Sequence, residues 1–396
     1  MYTQNTPVHV KLWHHDFWRL ALANLLMTMS VYMFIPVLPQ WLSAYGAILP
    51  GYAMVAYLVG IYTLGGFCSY LIQRFRRSHV CITAVLVMAI CTALMFYFPS
   101  ILCNSTEMIP GMLILSRFLV GAAFGLAQMI LTSTLVIDTC ESFQRTEANH
   151  SAAWFGRFAL SLGPILALCV MRFYSFQWVV AASLVCAVIS CVLLFMVDFP
   201  FKAPDDEVPT YSLDRFFLPH GWLLFLHLMC ITMVAGMLIS VSHNMAFYAM
   251  LMVGFFLAVL SEKFVFADAD LKSEVVCGLL LIIAALFMML RMQSGLTSLS
   301  HYVPPVLFGL GIGIIGSRFL LFFIKLSRHC QRGTSQSSFI LAWELGISIG
   351  LFLGFAFFHQ GDAARHLYLT AIVITLVNLL LYHFFMHRWY ITHKNR

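Results

Sequence analysis

The sequence predicts an all-α polytopic membrane protein, and three observations carry that prediction. The chain is apolar almost throughout, its apolar residues gather into twelve runs of bilayer-spanning length, and its basic residues collect between the runs on one side. Of the 396 residues, 61% are hydrophobic and only 10% are charged, whereas a soluble domain carries about 25% charged residues. Mean hydropathy is +0.90. Length alone would allow two or three soluble domains, so the pattern along the chain has to decide. The 36 Phe and 22 Met suit a lipid-embedded, adaptable interior.

Crossing the hydrocarbon core takes about 20 residues of helix. The expected spans, in order, are 17–40, 47–72, 79–99, 110–136, 148–170, 174–198, 217–241, 245–266, 273–291, 302–326, 335–358 and 366–387. Several exceed the minimum, which implies tilt or protrusion. No run shows the period-2 alternation of a membrane β-barrel. The segment before the first span is polar, with His14, His15 and Asp16, and no cleavage pattern follows it, so no cleavable signal peptide is expected.

Twelve spans put both termini on one side, and the basic residues say which. Arg172, Arg291 and Arg365 fall on the far side and Arg117, Arg157 and Arg318 fall within spans. The other sixteen of the 22 Lys and Arg lie on the side of the termini. The positive-inside rule makes that side cytoplasmic, in a bacterial-type inner membrane. The formal net charge of +6 comes from these short clusters. It forms no continuous basic patch, so no nucleic-acid partner is expected. Of the eleven Cys, eight sit inside apolar runs and no CxxC occurs, which reads as buried small hydrophobes. His383 and His387 are one turn apart but have no acidic companion nearby. No metal site and no cofactor is expected.

Six spans precede the hydrophilic stretch 199–216 and six follow it. The expected organisation is a first bundle at 1–198, a cytoplasmic linker at 199–216 and a second bundle at 217–396. Pro200, Pro204 and Pro209 disfavour regular structure in the linker. It reads as a plain connection or as a surface that packs under both bundles. A weak internal repeat agrees with the division. Ser69–Phe75 (SYLIQRF) aligns with Ala258–Phe264 (AVLSEKF) at a shift of 189, which pairs Leu71 with Leu260, Gln73 with Glu262, Arg74 with Lys263 and Phe75 with Phe264. The segment from Arg145 aligns with that from Arg332 at a shift of 187, pairing Arg157 with Glu344 and Gly163 with Gly350. Parallel six-helix repeats are a known transporter plan, because two similar bundles can rock around a site between them.

With these features the chain resembles the major facilitator superfamily of secondary transporters, over nearly its whole length. The family carries G-x-L-x-D-R-x-G-R-[KR] after its second helix. Here Leu71, Arg74 and Arg77 match, while Ser69, Gln73 and Arg76 replace the first Gly, the acid and the second Gly. The usual carboxylate of the cytoplasmic latch is therefore missing, and Glu262 of the second copy could take a comparable role. The resemblance assigns Gln73, Arg74, Arg77, Glu262 and Lys263 to a cytoplasmic gate. Arg117 and Gly121 match R-x-x-x-G of the fourth helix. Gly163 and Pro164 match the fifth-helix motif G-x-x-x-G-P-x-x-G-G of exporters, with Ala159, Ala167 and Leu168 replacing the other glycines. The resemblance implies a cavity lined by helices 1, 4, 7 and 10, an interface of helices 2, 5, 8 and 11, and proton-coupled export of a small molecule by a monomer in lipid.

Polar residues deep in the membrane are costly and mark function. Glu344 is the one acid expected deep within a span, and it is the candidate proton-coupling residue, against the alternative of a structural carboxyl. Arg157 stands at the same repeat position and, staying charged, wants an anion. Arg117, Asn24, Tyr32, Gln128 and His227 complete the candidate set around the substrate. Arg318 reads as structural, near a helix end where snorkelling is cheap. Glycines at 60, 65 and 66, at 309, 311, 313 and 316, and at 346, 350 and 354 suit close helix packing, either static or at a rocking interface. No GxSxG, HExxH or Walker motif occurs, so the chain is not expected to be an enzyme. A membrane-embedded enzyme and a non-transporting sensor with a transporter fold are the competing classes.

Overall fold

The computed structural model describes residues 11–101, 108–199, 205, 207–266, 269–293, 301–358 and 363–394. Among these residues the fold is wholly helical. Its long helices are α1 (His15–Tyr32), α2 (Leu49–Thr63), α3 (Arg77–Ile101), α4 (Ile109–Ile130), α5 (Arg145–Phe173) and α6 (Phe176–Phe195) in the first half of the chain. The second half holds α7 (Trp222–Ser240), α8 (Met245–Phe264), α9 (Leu271–Gln293), α10 (Val303–Leu326), α11 (Arg332–Phe357) and α12 (Ala363–Leu381). Prolines start several of them: Pro50, Pro110 and Pro304 sit in the first helical turn, where a missing N–H costs nothing.

Among the described residues eleven helical stretches are long and apolar enough to cross a membrane, one fewer than the twelve expected. The exception is α1. It carries Asp16 and Arg19 in its first turns and buries Asn24, Thr28 and Ser30. It also ends at Tyr32 instead of near residue 40, because Pro36 has no N–H to continue the ladder and crowds the residue before it. A short helix, Leu38–Leu42, follows. The second expected span is likewise broken: α2 stops at Thr63, a tight turn covers Gly65–Phe67, and helix resumes at Cys68–Arg74.

Helix pairing repeats at an offset of six. In the first half α1 packs on α5 and α6, α2 on α4, α3 on α4 and α6; in the second, α7 packs on α11 and α12, α8 on α10, α9 on α10 and α12. The repeat extends to how backbones meet. A Cβ at Gly121 would strike the Tyr57 carbonyl of α2, and one at Gly309 the Leu251 carbonyl of α8. Small residues thus allow the α2–α4 and α8–α10 crossings alike. The Gly346, Gly350 and Gly354 series faces α7, where a Cβ would meet Met229, Met233 and Ser240. Those glycines allow the close α7–α11 crossing inside the second half. The halves meet along α2–α11 and α5–α8, the helices the resemblance assigned to the interface. Helix α4 is buried throughout from Val120 to Ile130, while α3, α6, α8, α9 and α12 bury well under half of their apolar stretches, as lipid-facing helices do.

Candidate functional site

Glu344 lies on α11, buried at the boundary between the halves. Its two oxygens are held from the first half: the Tyr32 hydroxyl of α1 donates to Oε1, and the Tyr57 hydroxyl of α2 donates to Oε2 at 3.4 Å. The Arg117 guanidinium of α4 sits 5.1 Å from the centre of the Tyr57 ring, a cation–π arrangement. The acid is thus secured by hydroxyl donors rather than by a basic side chain.

Arg157 makes the complementary reach. It projects from α5, its Nη1 donates to the Gly313 carbonyl of α10 at 3.2 Å, and its Nε donates to Ala153 within its own helix at 3.3 Å. The guanidinium lies 3.9 Å from the Trp154 ring centre. Glycines on α10 make room for it: a Cβ at Gly316 would stand 3.3 Å from Arg157 and 2.9 Å from Trp343. The repeat-related residues therefore do cross into opposite halves, each held by its own set of partners.

Both border one cavity of about 30 Å³, walled also by Asn24, Thr28, Tyr32, Gln128, Phe339, Ile340 and Trp343. That is room for about one water. The residues that line it carry four buried polar atoms with no hydrogen-bond partner among the described residues: Asn24 Oδ1, Thr28 Oγ1, Gln128 Oε1 and Arg157 Nη2. Asn24 is anchored through Nδ2, which donates to the Ala152 carbonyl at 2.9 Å. The lining differs from the expected set of helices 1, 4, 7 and 10. Helices α1 and α4 contribute, but α5 and α11 replace α7 and α10, since Arg157 and Trp343 are long enough to fill the centre over the α10 glycines.

The remaining candidates lie elsewhere. His227 faces α12, with Nε2 3.1 Å from the Asn378 carbonyl and its ring stacked on Phe319, inside the second half. Gly163 lets α5 approach α1, where a Cβ would stand 3.2 Å from the Met29 carbonyl; Pro164 follows it within the helix. Arg318 pairs with Glu274 of α9.

The gate residues fall into separate clusters at the end of the molecule that carries the linker. Arg77 pairs with Asp138 within the first half. Gln73 donates to Ser69 at 2.9 Å, Arg74 is exposed, and the Lys263 ammonium lies 5.5 Å from the neighbouring Phe264 ring. Glu262 of α8 faces the first half, 3.5 Å from Nε2 of His150 on α5, and His150 also bonds Ser317 of α10.

The linker is more than a connection. Its residues 200–204 and 206 lie outside the described set, but the rest bonds to both halves. Ser212 N donates to the Gly66 carbonyl at 2.9 Å and Asp205 N to the Gln73 carbonyl at 3.1 Å. Asp214 accepts from Ser69 at 3.4 Å and from Thr334 of α11 at 2.9 Å. Arg215 donates from its side chain to Thr134 at 2.5 Å and from its backbone to Thr334 at 2.9 Å. Phe216 and Tyr211 fill the places where side chains at Gly65 and Gly66 would be, which accounts for the glycine pair in the break of α2.

Sequence reading missed Tyr57, His150, Trp154 and Trp343. A tyrosine hydroxyl within a lipid-embedded helix needs a partner, and that signal could have marked Tyr57. The others sit beside residues that were singled out, but nothing in their spacing separates them from packing aromatics.

A family model described as Major Facilitator Superfamily matches residues 20–351. Solved structures share the fold over almost the full chain. A bacterial homologue of the iron transporter ferroportin, in an outward-facing state, superposes with TM-score 0.68 at 14% identity, covering 94% of this chain and 99% of that one. The xylose symporter XylE gives 0.64 at 13%, covering 94% and 95%. The nucleoside transporter NupG gives 0.62 at 12%, covering 93% and 99%. No curated protein sequence matches the chain.

Proposed function

Since the chain belongs to the major facilitator superfamily, whose members are transporters, we propose that it is a proton-coupled exporter of a small molecule working by alternating access. In this reading the units 1–198 and 217–396 rock about the central cavity, and the end that carries the linker faces the cytoplasm, as the basic residues suggest. The observation that carries the proposal is Glu344: a buried carboxyl of one half, held by hydroxyls of the other, beside a cavity that both halves border. A proton on that carboxyl turns it from a pure acceptor into a donor. It therefore changes the bonds that hold the halves together, and this is what coupling requires. The fifth-helix resemblance at Gly163 and Pro164 supports export over uptake.

The test is Glu344→Gln in proteoliposomes. The amide keeps hydrogen bonding and removes titration. The variant is expected to exchange substrate across the membrane while losing uphill transport driven by a pH gradient. Normal gradient-driven flux at normal protein levels would rule out Glu344 as the coupling residue.

A further inference from the structure

The central site holds a buried guanidinium with one unmet donor, and this points to what it carries. Arg157 is only 3% exposed, and arginine does not give up its proton in proteins. A buried charge is expensive unless it is paired. Arg157, however, touches two backbone carbonyls and an indole ring. Among the described residues no carboxylate lies within ion-pair distance of it. Glu344 is occupied by Tyr32 and Tyr57, and Glu262 faces His150. Arg117, also 3% exposed, has an aromatic face beside it and no partner at Nε. Glu262 is near enough to offset part of the Arg157 charge, but no acceptor among the described residues reaches Nη2, and a substrate without an anionic group would leave that N–H group unmet.

We propose that the cavity takes a small organic anion, and that Arg157 anchors its negative group through Nη2. The inference rests on the reading of this cavity as the transport site. Nη2 is buried, unpartnered and beside the cavity, so a carboxylate there gains charge-assisted hydrogen bonds without displacing any. The oxygens of Asn24, Thr28 and Gln128, equally unpartnered, accept from a hydroxyl or N–H elsewhere on the same molecule. Trp343 and Phe339 supply an apolar wall for its carbon skeleton. The substrate class is a compact carboxylate with a hydrogen-bond donor, admitted when the halves part, because the volume of about 30 Å³ available here is too small for it.

Equilibrium binding to the purified full-length protein tests this without any gradient, so the result is independent of whether Glu344 couples flux. The probes are lactate, succinate and 4-hydroxybenzoate, each against its neutral amide, read by the thermal unfolding midpoint and by tryptophan fluorescence. At least one carboxylate is expected to bind at least tenfold more tightly than its amide. Arg157→Gln should lose that preference, and Arg157→Lys, which keeps the charge but not the fork, should weaken carboxylate binding severalfold. Amides binding as well as acids, no carboxylate binding, or unchanged carboxylate affinity in the Lys variant would each overturn the proposal. If carboxylates bind but Glu344→Gln retains gradient-driven flux, the coupling assignment falls and the anion site stands.

Discussion

Tyr57 and Glu344 join opposite halves of the molecule through one hydroxyl, at 3.4 Å, while the face of the same Tyr57 ring carries Arg117 at 5.1 Å. One side chain of α2 thus links the acid of α11 to a buried cation of α4. It can touch both because a tyrosine has a polar tip and an aromatic face.

Tyr57→Phe should separate these two roles. The ring remains for Arg117, but one Glu344 oxygen loses a donor in a buried place. At 3.4 Å the bond is longer than an ordinary O–H···O bond, so its loss should cost no more than the about 0.5–1.5 kcal/mol of a typical hydrogen bond, and the thermal midpoint of the purified protein should fall modestly. Tyr57→Leu removes the ring as well and should cost about 0.5–2 kcal/mol more. Equal midpoints for the two variants would show that the Arg117 stacking contributes nothing.

Glycine positions give a sharper contrast. Gly350→Ala would push a methyl into the Met233 carbonyl and the backbone of α7, whereas Gly111→Ala meets nothing within 4 Å. Backbone cannot move aside as a side chain can, so Gly350→Ala should cost at least the ~1–3 kcal/mol of ordinary overpacking and lower the yield of folded protein. Gly111→Ala should be neutral or stabilising by about 0.4–1 kcal/mol. Similar unfolding midpoints and yields for both would contradict the close α7–α11 crossing.

The helical plan was legible because lipid leaves the backbone few choices. Long apolar runs had to be helices, and the offset pairing of Arg157 with Glu344 located the central layer. Helix α1 is shorter than the run 17–40 suggested, since Pro36 ends it early, and its polar residues Asn24, Thr28 and Ser30 are buried. The partners of each buried charge were not legible. Periodicity gives depth and face, but the bond from Tyr57 to Glu344 depends on how two distant helices cross. The role of Gly65 and Gly66 was hidden for the same reason: their neighbours, Phe216 and Tyr211, lie about 150 residues away in a segment that read mainly as a plain connection.

That segment yields a third prediction. Arg215 adopts φ 58, a left-handed conformation that costs a non-glycine residue roughly 1–2 kcal/mol. Arg215→Gly relieves that cost and also deletes the bond to Thr134. If the linker clamps the halves, losing the bond should matter more, and the linker end should open more often. The readout is a cysteine placed at Ser337, which is fully buried here, in a Cys330→Ser background, with labelling followed by mass spectrometry. Faster labelling than in the parent is expected. Slower labelling would mean that the backbone conformation, and not the bond, decides.

The last prediction concerns His150 and Glu262, the other tie across the boundary. They meet at 3.5 Å between α5 and α8, with Ser317 of α10 completing the cluster. Charged groups face it from several elements: Arg157 on α5, and Arg318 paired with Glu274 on α10 and α9. Glu262 Oε1 has no hydrogen-bond partner among the described residues, and His150, with Trp154 and Arg157 of the same helix beside it, joins this acid to the first half. His150→Gln keeps a hydrogen-bonding side chain but removes the imidazole. Glu262→Gln keeps the shape and removes the charge. Each should weaken the closed arrangement at the linker end, and about 1.4 kcal/mol of lost closure would raise the open population tenfold. Labelling at Ser337→Cys should therefore accelerate in both. Combining His150→Gln with Arg215→Gly then tells whether the two ties act separately. They lie on different elements, α5–α8 against the linker with α11 and the turn at Leu131–Leu135 that continues α4, and share no side chain. Independent ties should have additive free-energy effects, to within about 0.3–0.5 kcal/mol. A double variant that labels no faster than the quicker single one would show instead that breaking either tie already releases the whole end. That outcome would make the linker and the His150–Glu262 pair parts of a single cooperative closure.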